Sequence, residues 1–333
     1  MNLRGDHIKS VKRILGIVVM AATGLGMKAQ NDVMLNQHWA IPSFYNPAQA
    51  GNTDYLRIRA AGRMQWIGIE NAPMSFLGAA DSPIKVGTKK VGLGITAIQE
   101  SLGLFQNLNI GVQANYKFKI GKGVFSIGVQ PAYYNSKFKG SKVILPDNDD
   151  YHQGSDSSIP TQDMTGSKFD LSAGLSFTTN YLSLGVSCMH IMNPKVWLNL
   201  QGSSSSDMQE YQTELPRTLY FIADSNIPIK NTLFELQPSL LVMSDFTGVT
   251  GEASMRTTYN KFLTFGLAYR WEDAIGITIG AEYKNFFLGY AYEYPLSGIN
   301  KVSSGSHELV AGYSLKLDFS GQNKHRHRSI RIM

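Results

Sequence analysis

The sequence predicts an all-β chain folded as a single transmembrane antiparallel β-barrel of about fourteen strands. Three observations predict it. Apolar and polar residues alternate with a period of two over stretches long enough to cross a bilayer as tilted strands, which takes roughly 9–11 residues. Beyond residue 29 no run is long and apolar enough for a transmembrane helix. The connections between the alternating stretches are tight every second time, and several of the others are long and polar.

The first element is a leader. Arg4, Lys9, Lys12 and Arg13 precede an apolar run from Ile14 to Leu25, and Ala29 offers a small residue before Gln30. This is the layout of a cleaved secretory signal peptide over residues 1–29, and the run is too short to anchor as a helix. The formal charge of +6 is partly the leader's, because residues 1–29 hold five basic residues and one acidic residue. Lys324, Arg326, Arg328 and Arg331 carry much of the remaining positive charge, so the body between is slightly acidic. That excludes a nucleic-acid-binding body. The single Cys188 excludes an intramolecular disulfide and a cysteine-based metal cluster.

Residues 30–53 lack alternation and carry turn chemistry at Asn46-Pro47 and Gly51. Trp39, Phe44 and Tyr45 argue for a packed segment, one that plugs or braces the barrel. The barrel follows over residues 54–319. Its strands are expected at 54–66, 72–84, 89–100, 106–120, 123–135, 168–179, 182–192, 214–227, 233–245, 250–259, 262–271, 274–283, 286–294 and 307–319, the eighth and tenth having the weakest alternation. In "NLNIGVQANYKFKI" at 107–120, Leu108, Ile110, Val112, Ala114, Tyr116, Phe118 and Ile120 share one face. Facing the other way are Asn, Gly, Gln and Lys. Across the strands this second face is rich in small and polar residues, which suits a wall around a narrow or filled lumen. Strands this long are unlike those of a soluble sandwich, which run to about 5–6 residues. Gly121-Lys122-Gly123, Thr179-Asn180, Lys230-Asn231, Asn260-Lys261 and Lys284-Asn285 form the tight turns, and 136–167, 193–213 and 295–306 the long loops. An even strand count puts both ends of the barrel on the short-turn side, the periplasm. Residues 320–333 are a basic tail on that side.

Two elements in combination carry a resemblance. "FYNPAQAG" at 44–51 and "RMQWIGIENAPMSF" at 63–76 resemble the paired opening motifs of the PorP/SprF family of outer-membrane proteins, through Asn46, Pro47, Ala48, Ala50 and Gly51 and through Arg63, Gln65, Trp66, Gly68, Ala72 and Pro73. "VGLGI" at 91–95, "GSHELVAGYSL" at 305–315 and "HRSIRIM" at 327–333 are similar to further family segments, whereas 138–167 and 198–213 are the least family-like. The resemblance implies an outer-membrane component of the type IX secretion and gliding machinery, without catalytic chemistry or cofactor. Its implied partners are a periplasmic ring lipoprotein and that lipoprotein's partner, a peptidoglycan-associated protein, or a large secreted adhesin. The alternative from another class is a channel for small or hydrophobic solutes.

Arg63 and Gln65 share a parity, so both face the same way. One reading is a polar anchor that pairs with the N-terminal segment or a client; the other is a lumen-facing Arg63 satisfied by neighbouring carboxylates, with Trp66 at the interface. Because the family carries a similar tail, Lys324, Arg326, Arg328 and Arg331 are expected to dock on an acidic face of a periplasmic ring or near peptidoglycan, the alternative being an unstructured, solvated end. His325 and His327 are too few and too close to make a metal site. The Asp-rich stretch 145–158 matches no complete calcium loop and reads as solvated, as does 202–210. His38, His152, His190 and His307 are scattered and pair with no nucleophile motif, so no enzyme is expected. Cys188 shares the apolar parity of Leu184 and Val186.

Overall fold

A computed structural model describes residues 32–86, 89–144, 160–200 and 211–317. The leader, the Asp-rich stretch and the basic tail with Lys324, Arg326, Arg328 and Arg331 lie outside the described residues, as does 202–210.

The alternation decides the architecture. Along the fourth strand Ile110, Val112 and Tyr116 point outward and are exposed, while Gln113 and Asn115 between them are buried. On other strands Ile127, Val129, Leu267, Ile277, Ile279 and Leu288 are exposed, and Ser126, Gln130, Thr278 and Glu293 are buried. A water-soluble protein would invert this. An apolar exterior around a polar interior is the arrangement of a barrel in lipid.

The strands are β1 Tyr55–Met64, β2 Met74–Val86, β3 Lys89–Leu102, β4 Phe105–Ile120, β5 Gly123–Phe138, β6 Met164–Thr178, β7 Leu182–Met189, β8 Lys195–Leu200, β9 Tyr211–Glu214, β10 Thr218–Ser225, β11 Ile227–Pro228, β12 Phe234–Ser244, β13 Val249–Tyr259, β14 Leu263–Arg270, β15 Ala274–Tyr283, β16 Phe286–Pro295 and β17 Ser306–Lys316. All pairings are antiparallel, and β1 closes the sheet by pairing with β17 from Tyr55↔Lys316 to Met64↔His307. The short β11 continues β10 along β12, and β8–β9 is a side hairpin, so the closed wall has 14 staves. Closure leaves no lipid-exposed edge with unpaired backbone groups.

Turn chemistry sets the register. The two-residue turn Lys284-Asn285 has positive φ at both positions, the type I′ geometry that matches strand twist. Gly121 supplies the positive φ of the β4–β5 turn.

The long-loop end departs from the expected loops. β5 and β6 run on to Phe138 and back from Met164, and the stretch expected as loop 193–213 contains the β8–β9 hairpin. Val196 and Leu198 of β8 are buried with Tyr134, Met164 and Leu215, which is why this otherwise polar insertion folds. The tops of β5 and β6 therefore extend beyond the shorter staves.

The barrel begins and ends at the short-turn side, but the chain before β1 does not stay there. Residues 32–53 run through the lumen, with Asp32 at the long-loop end beside His190 and Tyr220. The interior is packed by this segment. Val33, Leu35 and Ile41 bury against Ala61, Leu77, Ile98, Phe287 and Val310. Met34 and Tyr45 bury against Met189, Tyr220, Leu241 and Met243.

Candidate functional site: the filled lumen

In its lower half the N-terminal segment makes three short turns, His38–Ala40, Pro42–Tyr45 and Pro47–Gln49. Asn46 caps the last of them, its Oδ1 accepting from Ala48 N at 2.9 Å. Pro47 at the first position fixes φ and has no N–H to satisfy there. The same Asn46 side chain donates from Nδ2 to Leu175 O (2.9 Å) and Val186 O (3.3 Å), carbonyls of β6 and β7.

The wall answers with side chains that satisfy the remaining backbone. Asn115 Nδ2 donates to Pro47 O at 3.0 Å and Ala50 O at 2.7 Å. Ser176 Oγ donates to Ala48 O at 3.3 Å, and Gln113 Nε2 to Ser43 O at 2.7 Å. Gly51 N donates to Asp81 Oδ1 at 2.8 Å, and Lys117 donates to Gly51 O. Asp81 is itself paired with Arg57 at 2.9 Å.

Close approach requires the wall glycines. A Cβ on Gly92 would overlap Ala50 O, one on Gly128 would sit 2.4 Å from Ala48 N, and one on Gly174 would overlap Asn46 Oδ1. The small residues on the inner face are thus a mould of residues 46–51.

The upper half is held by charge. Arg63, buried to 1 % exposure, reaches Glu293 Oε1 at 2.8 Å and Glu308 Oε2 at 3.4 Å. Arg270 reaches Glu252 Oε2 at 2.8 Å, Glu293 Oε2 at 3.0 Å and Asp273 Oδ2 at 3.2 Å. Two buried guanidiniums face three buried carboxylates, and the N-terminal segment makes up the difference. Asn36 N donates to Glu308 Oε2 at 2.8 Å, Gln37 N to Glu308 Oε1 at 2.9 Å, and Asn36 Nδ2 to Glu293 Oε2 at 2.8 Å. Arg270 also donates to Met34 O at 3.3 Å. His38 adds a hydrogen bond to Ser239 Oγ at 2.7 Å and lies 3.5 Å from Glu252. Buried charges of this kind are stable only with partners in place, and part of the partner set here is the segment's own backbone.

At the top, His190 Nδ1 is 2.6 Å from Asp170 Oδ2, its Nε2 is 3.5 Å from Asp32 Oδ1, and Tyr220 donates to Asp32 Oδ2 at 2.8 Å. Burial alone pulls the His190 imidazole down; the Asp32 charge and the Asp170 hydrogen bond outweigh it and push it up to about 10. Asp32 is held below its ordinary range, since the His190 charge and the surrounding hydrogen bonds overcome the burial that opposes them. The buried Tyr45 hydroxyl accepts from Leu35 N at 2.9 Å.

Of the residues singled out in the sequence, Asn46, Pro47, Ala48 and Gly51 meet the wall, and Arg63 sits in the upper charge network. Arg63 faces the lumen with Glu293 and Glu308 beside it, and the same two carboxylates accept from Asn36 and Gln37 of the N-terminal segment. Gln65, Trp66, Gly68, Ala72 and Pro73 lie apart from that network, in the loop after β1. There Gln65 N donates to Pro73 O at 2.9 Å, Ile67 N to Gly305 O at 2.8 Å and Trp66 N to Ser306 Oγ at 3.2 Å, which ties this loop to the one before β17. Trp66 and Gly68 both have positive φ. Sequence reasoning missed Glu252, Arg270, Glu293 and Glu308. Each stands at an inward parity of an alternating strand, which is the signal that could have found them. Among the described residues no group of three or more His, Cys, Asp or Glu is placed to hold a metal ion. The site's chemistry is that of holding a polypeptide inside the wall.

The chain is similar to several solved outer-membrane barrels. The Ralstonia pickettii toluene transporter TbuX is 13% identical with a TM-score of 0.48, covering 83% of this chain and 93% of its own. The Pseudomonas putida toluene transporter TodX is 11% identical with a TM-score of 0.48, covering 88% and 96%. Omp33 of Acinetobacter baumannii is 5% identical with a TM-score of 0.41, covering 79% and 99%. Among curated proteins, none matches the sequence. The model of the family described as type IX secretion system membrane protein PorP/SprF matches residues 27–313. By that match, over most of its length and including both opening motifs, this outer-membrane barrel belongs to the PorP/SprF family.

Proposed function

We propose that the protein is a non-enzymatic docking component of the type IX secretion and gliding machinery, exported by a cleaved signal peptide. It holds periplasmic ring components, or a secreted adhesin, at the outer membrane. The observation that carries this reading is the filled lumen: an N-terminal segment locked by buried charges at one end and moulded into glycines at the other. A wall built around its own chain is suited to presenting surfaces, whereas a solute channel needs a continuous path. The short-turn side faces the periplasm in such barrels, and β17 delivers the chain to that side. The basic tail with Lys324, Arg326, Arg328 and Arg331 then docks on an acidic face of the ring lipoprotein, its partner or a peptidoglycan-associated protein.

The test is a gentle detergent pull-down of the tagged protein from its own cells, with and without residues 320–333, alongside planar-bilayer recording. Co-purification of ring components that is lost with the tail is the expected result. Recovery of a large surface protein instead assigns an adhesin partner. Absence of any partner together with sustained large conductance would return the function to a channel.

A further inference from the structure

Below the N-terminal segment, at the short-turn end, the lumen opens as a vestibule of about 530 Å³ bordered by the Thr179–Tyr181 turn and Lys261. That is the size of a small-ligand or short-peptide site, roughly 300–1,000 Å³. Its wall carries a four-membered stack. The Arg256 guanidinium lies 3.9 Å from the centroid of the Trp39 ring. Trp39 meets Phe287 edge-on at 5.6 Å, and the Arg59 guanidinium lies 5.7 Å from the Phe287 centroid.

Arg256 is set apart from the other inward arginines. Arg57, Arg63 and Arg270 each have a carboxylate at 2.8–2.9 Å. Arg256 is 6 % exposed, its Nε has no partner, and among the described residues it makes no hydrogen bond or ion pair. Asp224, which also lines the vestibule, accepts from Ser239 at 2.5 Å and stands outside ion-pair distance of Arg256. Among the described residues the Arg59 side chain bonds only to Ser314 Oγ (2.9 Å) and Ile58 O (3.2 Å), with no carboxylate at ion-pair distance. Both side chains lie over glycines of the neighbouring strands. A Cβ on Gly266 would press on Arg256 Cγ at 3.0 Å, and one on Gly312 would overlap Arg59. The wall thus makes room for two guanidiniums whose faces are covered and neither of which has a carboxylate at ion-pair distance among the described residues; Arg256 is the buried one, and Asp224 acts on it only from beyond that distance. Leaving such a cation buried is costly unless an anion completes it.

We propose that this vestibule receives a carboxylate-bearing peptide segment of a partner, with the carboxylate on Arg256 and Arg59 as the second cation. Stacked guanidiniums bind planar carboxylates bidentately. Asp224, Glu235 and Glu282 also line the vestibule. They oppose a dianionic phosphate more than a singly charged carboxylate, and their oxygens can accept from the peptide amides beside it. The proposal rests on the docking reading only for the side from which the segment comes.

Trp39 is a built-in reporter. The full chain, purified in detergent and labelled with 5-fluorotryptophan, is titrated with acetyl-Ala-Glu-Ala-amide, acetyl-Ala-Gln-Ala-amide and inorganic phosphate, with the Trp39 resonance assigned from W39F. The expected result is a saturable Trp39 shift with the Glu peptide. The Gln peptide, and the R256Q variant with the Glu peptide, are expected to bind more weakly by about tenfold or more. R59Q should weaken binding severalfold, and it carries the variant test if R256Q loses the heat-modifiable gel mobility of a folded barrel. No Trp39 shift with the Glu peptide, equal binding of the Gln peptide, undiminished binding in a folded variant, or tighter binding of phosphate each overturns the proposal. The titration contains no ring component, so its outcome is independent of the pull-down.

Discussion

The two halves of the N-terminal segment are held by different physics. Residues 46–50 meet the wall through neutral hydrogen bonds and the space left by glycines, and charge enters at one point, where Gly51 bonds to Asp81 and Lys117. Residues 32–38 meet it through carboxylates, guanidiniums and an imidazolium. The lower contact is one of shape, with charge confined to Gly51 at its end. The upper contact is one of mutual completion, because wall carboxylates and backbone N–H groups would each be left unpaired alone. A barrel built this way has an N-terminal segment that cannot be traded for a generic plug, since the wall is wrong for anything else.

The largest expected effect comes from breaking the upper half at Arg63. Arg63→Ala leaves Glu293 and Glu308 short of a cation, and removing one partner of a buried charge network costs about 3–5 kcal/mol. Hydrogen exchange should show lost protection at residues 33–38 with residues 46–51 retained, and bilayer recording should show raised conductance. Equal loss in both halves would mean that the segment unfolds as one unit and that the contrast is only chemical.

A smaller effect is expected from the lower half. Gly128→Val pushes a side chain into the backbone at Ala48, an overpacking worth about 1–3 kcal/mol. Asn46→Ala removes the cap and two hydrogen bonds to the wall, about 1–2 kcal/mol. The two sites act on the same turn, so the double variant should cost less than the sum. Protection of residues 46–51 should fall in each, with little dependence on salt. A strong salt dependence would show that charge also governs this half.

The smallest effect is a pH dependence confined to the top. His190 is raised from 6.5 to about 10, so its stabilising contribution is complete below about pH 6.5 and is lost as pH rises through about 10. Asp32 is lowered from 3.8, so its contribution is present above that value and is lost as pH falls through the depressed one. Asp170, Tyr220, Glu100 and Tyr134 are the other titratable groups around this pair. Rate-corrected hydrogen exchange at residues 33–35 should therefore rise between pH 7.5 and 10.5, and His190→Gln should flatten the profile. A profile unchanged by His190→Gln would assign the dependence to another group.

Much of the wall was legible because strand parity is a local property. Ile110, Val112 and Tyr116 announce a lipid face whatever the rest of the chain does. The Asn46–Gly51 element stood out by its turn residues and by resemblance, but nothing within it says that Asn115, Ser176 and Gly128 await it. The charge network was half legible. Glu293 and Glu308 stand at inward positions among small residues, but their meeting with Arg63 spans more than 200 residues of sequence. The hairpin of β8 and β9 was hidden because Val196 and Leu198 find Met164 and Tyr134 only once β5 and β6 have extended beneath them.

The sequence by itself determined the barrel, its strand order and which face of each strand meets lipid. These follow from a period of two and from turn residues, and neither depends on distant parts of the chain. Only the tertiary structure decided that the N-terminal segment runs up the lumen to the long-loop end, that Arg63 and Arg270 share Glu293, and that Arg256 has no ion pair among the described residues. The reason is closure. Pairing β1 with β17 fixes the stagger of all the staves at once, and the stagger decides which inward side chains from opposite walls arrive at the same height.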